Sequence, residues 1–331
     1  MPSIKNSWFR TFRRRFEKRS VKEFIRAGGP PVIFPFYHVV SNDALPHIDH
    51  LYAYKNVAEF EGDMDFLLRH FTPLHYDDLV RGRFEKDKPY FHVSFDDGLS
   101  EMYHIVRPML LEKGIPASFF VNSAFVDNRA MFYRYKVSIL IDQVPADELA
   151  AAIAGVGENE RIRVQDPKRF LLSLHVDSES LIDRIAATAG FDFGQYLASN
   201  RPYMDCSQIS ALQHEGFSIG AHSVDHPEFS YIAPASQHEQ IKQSTDYVRA
   251  HFQVQQPAFA FPFTADGADP SVFEKMYSDY NVSRSFGTGG MQKQKYPYHI
   301  DRIPAEYDNW SLESVVKAEY HYFLAKKMLG R

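Results

Sequence analysis

Phe91-His92-Val93-Ser94-Phe95-Asp96-Asp97-Gly98 reads as a buried strand that ends on two adjacent carboxylates and a glycine. Period-two alternation puts Phe91, Val93 and Phe95 on one face and His92, Ser94 and Asp96 on the other. Gly98 permits the sharp exit that such a turn needs. Two neighbouring acids repel each other unless a cation or a proton sits between them. On this stretch alone a solvated Asp-Asp-Gly turn is the simpler reading. A second cluster far downstream, His222-Ser223-Val224-Asp225-His226, changes the balance by offering two imidazoles four residues apart. One carboxylate and two histidines form a ligand set for zinc or a related divalent ion, with positions left for water and substrate. The other carboxylate is then free to act as a base. Strand alternation does not decide which aspartate does which, and the two histidines read alone are equally those of a surface turn.

Ser94-Phe95-Asp96-Asp97-Gly98 and His222-Ser223-Val224-Asp225-His226-Pro227 resemble the first two motifs of the polysaccharide deacetylases, the NodB-homology enzymes of the carbohydrate esterase family 4 type. Phe259-Ala260-Phe261-Pro262-Phe263 is similar to a third. The resemblance covers about residues 31 to 305, broken by an insertion. It implies a metal-dependent hydrolase that removes acetyl groups from an N-acetylated sugar or glycan precursor, with a metal-bound water as nucleophile. Carried over by position, it implies Asp96 as base and Asp97, His222 and His226 as ligands to a divalent metal, zinc before iron, cobalt or nickel. Asp225 is then either a partner orienting an imidazole or a turn residue.

Two departures from the commonest family pattern affect the remaining roles. The late strand His299-Ile300-Asp301-Arg302-Ile303-Pro304 matches the usual acid-bearing motif poorly. Phe36-Tyr37-His38-Val39-Val40 instead resembles members with permuted motifs, in which an N-terminal Tyr-His pair supplies the acid, so His38 is the expected leaving-group acid. The position at which many members hold the base with an arginine is Ala260, and Arg302 is the candidate substitute, with a structural ion pair as its alternative. Phe263 is a candidate substrate-stacking residue, with core packing as its alternative.

Composition bounds the rest. The chain has 331 residues, 44% hydrophobic and 24% charged, which suits a globular protein with a sizeable core. A net charge of −5 gives no reason to expect nucleic acid as a partner. The lone cysteine, Cys206, excludes an internal disulfide framework and fits a reducing compartment. No apolar run is long enough to span a bilayer, and no secretory apolar region follows the basic N-terminus. These features imply a cytoplasmic protein. Residues 1–26 carry nine Lys/Arg against Glu17 and Glu23, a local +7 that leaves −12 for the remainder. With Trp8, Phe9, Phe12 and Phe16 at roughly helical spacing, this arm is either a peripheral contact to the anionic inner membrane surface or a segment whose aromatics dock on the main domain.

Gly28-Gly29-Pro30-Pro31 marks a boundary, and strand and helix patterns alternate beyond it. Val32–His38 reads as the first strand despite Pro35, and Asn56 as the cap of a helix reaching Phe71. Residues 127–204 interrupt the alternation with helical patterns and no convincing strand, at a point where barrel loops form active sites. The expected fold is α/β: a distorted (β/α) barrel of about seven strands with a helical insertion. The expected division is a basic arm over 1–30, the barrel over 31–126 and 205–310, the insertion over 127–204 and a C-terminal helix over 311–331. Competing readings are a catalytically inactive carbohydrate-binding protein on the same fold, a metal phosphoesterase or peptidase, and a membrane-recruitment protein. No glycine-rich phosphate loop or His-Glu-x-x-His helix supports the second.

Overall fold

The computed structural model describes residues 4–156, 166–307 and 309–329. Residues 1–3 of the expected arm, 157–165 of the expected insertion, residue 308 and the last two residues lie outside this description. Among the described residues, eleven short strand segments carry the sheet structure: Val32–Ile33 (β1), Pro35–Tyr37 (β2), Thr72–Pro73 (β3), Tyr90–Phe91 (β4), Val93–Phe95 (β5), Ala117–Val121 (β6), Ser218–Ala221 (β7), Phe259–Ala260 (β8), Ser285–Gly287 (β9), His299–Asp301 (β10) and Ile303–Pro304 (β11). The main sheet runs β10-β9-β8-β7-β6-β5-β2-β11, and its pairings are parallel. Its two end segments are the halves of one stretch, separated only by Arg302. The first half pairs with β9 and the second with β2, so the sheet closes on seven strands as expected.

The closure is a change of partner in the backbone. Arg302 N–H donates to Gly287 O at 3.1 Å, and Ile303 N–H donates to Phe34 O at 2.8 Å on the other neighbour. The first and third strands are interrupted in the same way, at Phe34 and His92. Their outer halves form a separate three-stranded sheet in the order β1-β4-β3. Neither these interruptions nor the edge strand β3 and the helix Tyr76–Arg81 that follows it can be read from period-two alternation. The barrel strands β5 and β6 are buried along their length, as parallel strands covered on both faces are.

Helices cover the outside of the barrel. Val57–His70 starts on a capping box in which Asn56 accepts from Glu59 N–H and the Glu59 carboxylate accepts from Asn56 N–H. Its face of Phe60, Met64, Phe66 and Leu67 is buried, and each such side chain contributes about 1.5–3 kcal/mol. Cys206–His214 is capped by Asp205, and Pro234–Phe252 and Pro270–Ser278 each begin with proline in the first turn. Between β6 and β7 the described residues carry helices and no strand, apart from a single bridge of Tyr203 to Leu99; among the helices are Tyr133–Gln143, Ala146–Val156, Glu179–Thr188 and Phe193–Asn200.

The basic arm docks on the protein's own C-terminal end. Helix Ile4–Phe16 packs on helix Leu312–Met328, burying Phe9 and Phe16 among Tyr307, Trp310 and Tyr322. Trp8 Nε1 donates to His321 Nδ1 at 3.2 Å, and Lys5 reaches the fully buried Glu319 at 2.5 Å. Phe24, on the following helix Val21–Arg26, stacks on Tyr320. The aromatics of the arm are thus committed to internal packing. Among the described residues no helix is long and apolar enough to cross a membrane.

Candidate active site

The adjacent carboxylates emerge at the C-terminal end of β5, where the backbone turns sharply. Asp97 and Gly98 are both left-handed, with φ of 69° and 70°. Glycine is favoured at position 98, since a side chain there would be strained at this φ and an added Cβ would lie 3.2 Å from Val121 Cγ1. This turn sends the two side chains to different partners. Both are buried.

Asp96 faces Arg302. Nη1 and Nη2 of the guanidinium meet Oδ1 and Oδ2 of the carboxylate at 2.7 Å each, a bidentate fork. Arg302 is fully buried inside the barrel, over the ring of Phe36 at 4.3 Å, and also donates to Ser94 Oγ and Gly287 O. Burial pushes the Asp96 carboxyl up, but the Arg302 charge overrides it and holds the group below the ordinary carboxylate value. The same interruption that closes the barrel therefore delivers the cation that fixes Asp96. Ala260, at the position of the usual arginine, is buried and offers only its carbonyl, which accepts from His222 Nδ1.

Asp97 faces the imidazoles. Its Oδ1 lies 3.3 Å from His222 Nε2 and 3.2 Å from His226 Nε2, and has no hydrogen-bond partner. Two donors held by one ion at about 2.0–2.2 Å in tetrahedral geometry stand about 3.3–3.6 Å apart, so the spacing fits a shared divalent ion. Among the described residues, Asp97, His222 and His226 form a group with metal-ligand spacing, all three buried. The His222 Nδ1–H donates to the Ala260 carbonyl at 2.9 Å, which leaves the Nε2 lone pair aimed at Asp97 Oδ1. His226 is left-handed (φ 61°) and packs between the rings of Phe132 and Phe263, its backbone N–H held by Ser223 Oγ at 3.0 Å. Asp225 is an exposed turn residue that accepts from Gln240 and orients no imidazole. Burial raises the Asp97 carboxyl, yet the two histidines bring it well below its usual value, while burial lowers His226.

His38 follows β2 and stands at the mouth of the same cavity. Its Nδ1–H donates to Glu306 Oε2 at 2.6 Å, and Glu306 Oε1 also accepts from the backbone N–H of His38 and Val39, each at 2.9 Å. Burial acts to lower the imidazole, but the Glu306 carboxylate outweighs it, and His38 is pushed up to about 9. Tyr37 points away into the core, where its hydroxyl donates to Asp63. His299 bonds Ser285 and takes no part in this cavity.

The cavity has a volume of about 420 Å³ and is walled by aromatics, Phe36, Tyr52, Phe132 and Phe263, with Asp96, Asp97, His222, His226, His38 and Glu306 on its polar side. Phe263, left-handed at φ 55°, is a cavity wall beside His226. Left-handed non-glycine residues cost about 1–3 kcal/mol each, and Asp97, His226 and Phe263 gather them around one pocket. Three contributors carry no local motif: Glu306, Tyr52 and Tyr135. Tyr135 donates to Asp97 Oδ2 at 2.7 Å, and Tyr52 donates to Tyr135 at 3.0 Å.

A sequence model of the polysaccharide deacetylase family matches residues 170–276, a segment that holds His222, His226 and Phe263. No curated protein sequence matches the chain. Among solved structures, the deacetylase PplD of Streptococcus pyogenes in complex with acetate is similar in fold, at 14% identity over 87% of this chain and 97% of that one, with a TM-score of 0.56. IcaB from Ammonifex degensii is similar at 15% identity over 88% and 98%, with a TM-score of 0.54. A de-N-acetylase from Aggregatibacter actinomycetemcomitans shares 12% identity over 85% and 97%, with a TM-score of 0.53. The polysaccharide deacetylase model thus matches a segment of this chain, and the solved structures share its fold.

Proposed function

We propose that the protein is a metal-dependent deacetylase acting on an N-acetylated sugar or glycan precursor. The observation that carries this reading is the division of two adjacent carboxylates, Asp96 to a guanidinium and Asp97 to two imidazoles. Asp97, His222 and His226 would hold the divalent ion. Bound there, such an ion polarises the acetyl carbonyl and lowers the pKa of water from about 16 towards 7. Asp96 Oδ2, 4.0 Å from His222 Nε2, is the carboxylate oxygen turned towards that set, and takes the proton from the attacking water. Arg302 keeps Asp96 ionised and fixed in position, at the cost of some basicity.

An amide leaves poorly unless its nitrogen is protonated. His38 supplies that proton from Nε2, because Nδ1–H is engaged by Glu306 and the imidazolium persists to about pH 9. Phe36, Tyr52, Phe132 and Phe263 offer ring faces to a sugar and exclude water from the reacting amide. The test is acetate release from N-acetylated sugars by zinc- or cobalt-loaded protein. A loaded protein that binds these sugars but releases no acetate from them, nor from an activated acetate ester, is the inactive carbohydrate-binding protein instead. A cytoplasmic location would supply sugar precursors as substrates; detection of the native protein outside the cell would remove that part of the reading.

A further inference from the structure

Two cationic side chains line the cavity, His38 and Arg134, and Arg302 is buried against Asp96 behind it; of the three, two are already matched. Arg302 is held by Asp96 and protonated His38 by Glu306. The third, Arg134, lines the same cavity from the helix Tyr133–Gln143 and has no hydrogen bond or ion pair to any described residue. Its neighbour Lys136 differs, with Glu179 and Asp183 at 2.7 and 2.8 Å. Arg134 is half-buried, and its guanidinium lies over the ring of Phe263, 5.9 Å from the centroid. A ring beneath the guanidinium steadies it and leaves its N–H edge for a ligand. The helix that carries it begins at the cavity with no side-chain cap and no acidic residue in its first turn, so its partial positive charge is likewise unmatched.

Building on the deacetylase reading, we propose that Arg134 receives an oxyanion on the acetylated sugar, a phosphate ester or a carboxylate, and makes the enzyme selective for negatively charged substrates. The electrostatics favour this arrangement. Asp96 and Arg302 cancel, as do Glu306 and His38, and the one remaining carboxylate, Asp97, faces a ligand set suited to a dication. A neutral sugar leaves Arg134 unpaired, whereas an oxyanion can take two parallel N–H bonds from it. The recognition element comes from the segment inserted between β6 and β7, while the reacting groups come from the barrel. Selectivity and chemistry thus reside on separate parts of the chain.

The experiment measures dissociation constants by calorimetry on zinc-loaded full-length protein, with Asp96 intact so that Arg302 stays neutralised, at low temperature and with acetate release followed to correct for turnover during the titration. The probes are N-acetylglucosamine, N-acetylglucosamine 1-phosphate and N-acetylmuramic acid, which separate a neutral sugar from a phosphate ester and from a carboxylate. The expected result is that one of the charged sugars binds about 10- to 100-fold tighter than the neutral one, the range of a charge-assisted hydrogen bond. Adding Arg134→Gln should erase that ratio, and Arg134→Lys should retain part of it. In the active enzyme, Arg134→Gln should raise KM for the charged sugar far more than it changes kcat. Equal affinity for all three sugars, or a preference that survives Arg134→Gln, overturns the proposal and leaves the deacetylase reading intact. A preference erased by Arg134→Gln in a protein that releases no acetate from any of the three sugars, nor from an activated acetate ester, supports the oxyanion site and refutes the deacetylase reading.

Discussion

The hydroxyl of Tyr135 lies 2.7 Å from Asp97 Oδ2, on the side of the carboxylate opposite the two histidines. A residue of the segment between β6 and β7 thus fixes the orientation of a carboxylate at the end of β5. Tyr52 extends the contact by donating to Tyr135. Partners of this kind set ligand geometry, and their removal typically costs about 10- to 100-fold in metal affinity. Tyr135→Phe is therefore expected to weaken zinc binding by that factor while circular dichroism and thermal unfolding remain near wild type. Unchanged zinc affinity in a folded Tyr135→Phe protein contradicts the role.

Arg302 and Asp96 form a buried pair, so loss of one partner leaves an uncompensated charge worth about 3–5 kcal/mol of stability. Arg302→Lys retains the charge but loses the two-pronged geometry. It is expected to raise the Asp96 pKa, moving the acidic limb of the kcat/KM profile to higher pH, with metal content unchanged. An acidic limb at the wild-type position separates Arg302 from the base and makes it a structural ion pair only.

The alkaline limb tests Glu306. His38 is pushed up to about 9, and it must be protonated to serve as the acid, so activity is lost as pH rises through that value. A bound dication repels the same proton, which makes about 9 the upper bound for the limb. Glu306→Gln removes the carboxylate that raises His38. The limb should move down towards the ordinary histidine value of about 6.5. Sensitivity should be greater for an amide than for an activated acetate ester, whose leaving group needs no proton. A limb that does not move excludes the His38–Glu306 pair as the proton source.

The arm makes a stability prediction. Phe16 is fully buried against Trp310 and His321. Phe16→Ala should cost about 3–5 kcal/mol in denaturant unfolding, as large aromatic truncations in cores do. An arm that serves a bilayer, with its rings free in solution, would show a loss near zero.

Several of the candidate residues stand in short local patterns at strand ends: Asp96 and Asp97 precede a glycine, and His222 and His226 flank one turn. Their proposed roles, and the choice of His38, come from the family resemblance of those motifs, and the fold brings all five to one cavity. Arg302 was legible as a candidate because Ala260 occupies the position of the usual arginine. Glu306, Tyr52, Tyr135 and Arg134 were not legible. Glu306 is two residues beyond β11 and acquires its role only when barrel closure brings the last strand beside β2. The two tyrosines and Arg134 come from segments with no motif, and an aromatic or basic residue in a helical pattern resembles any other until the chain folds. The barrel itself was legible from strand–helix alternation, but the breaks at Phe34, His92 and Arg302 were not. They follow from the stagger of a closed sheet, which depends on pairing between distant strands.

The most direct measurement is of bound metal and acetate release on the same samples of wild-type and Asp96→Asn protein. The account predicts about one equivalent of divalent metal in both, with turnover of an N-acetylated sugar falling roughly 10²- to 10⁴-fold in the variant, the contribution of a general base. Asp96→Asn protein that keeps its metal and hydrolyses the amide at the wild-type rate contradicts the assignment. So does wild-type protein that binds no divalent metal when Asp97, His222 and His226 are intact.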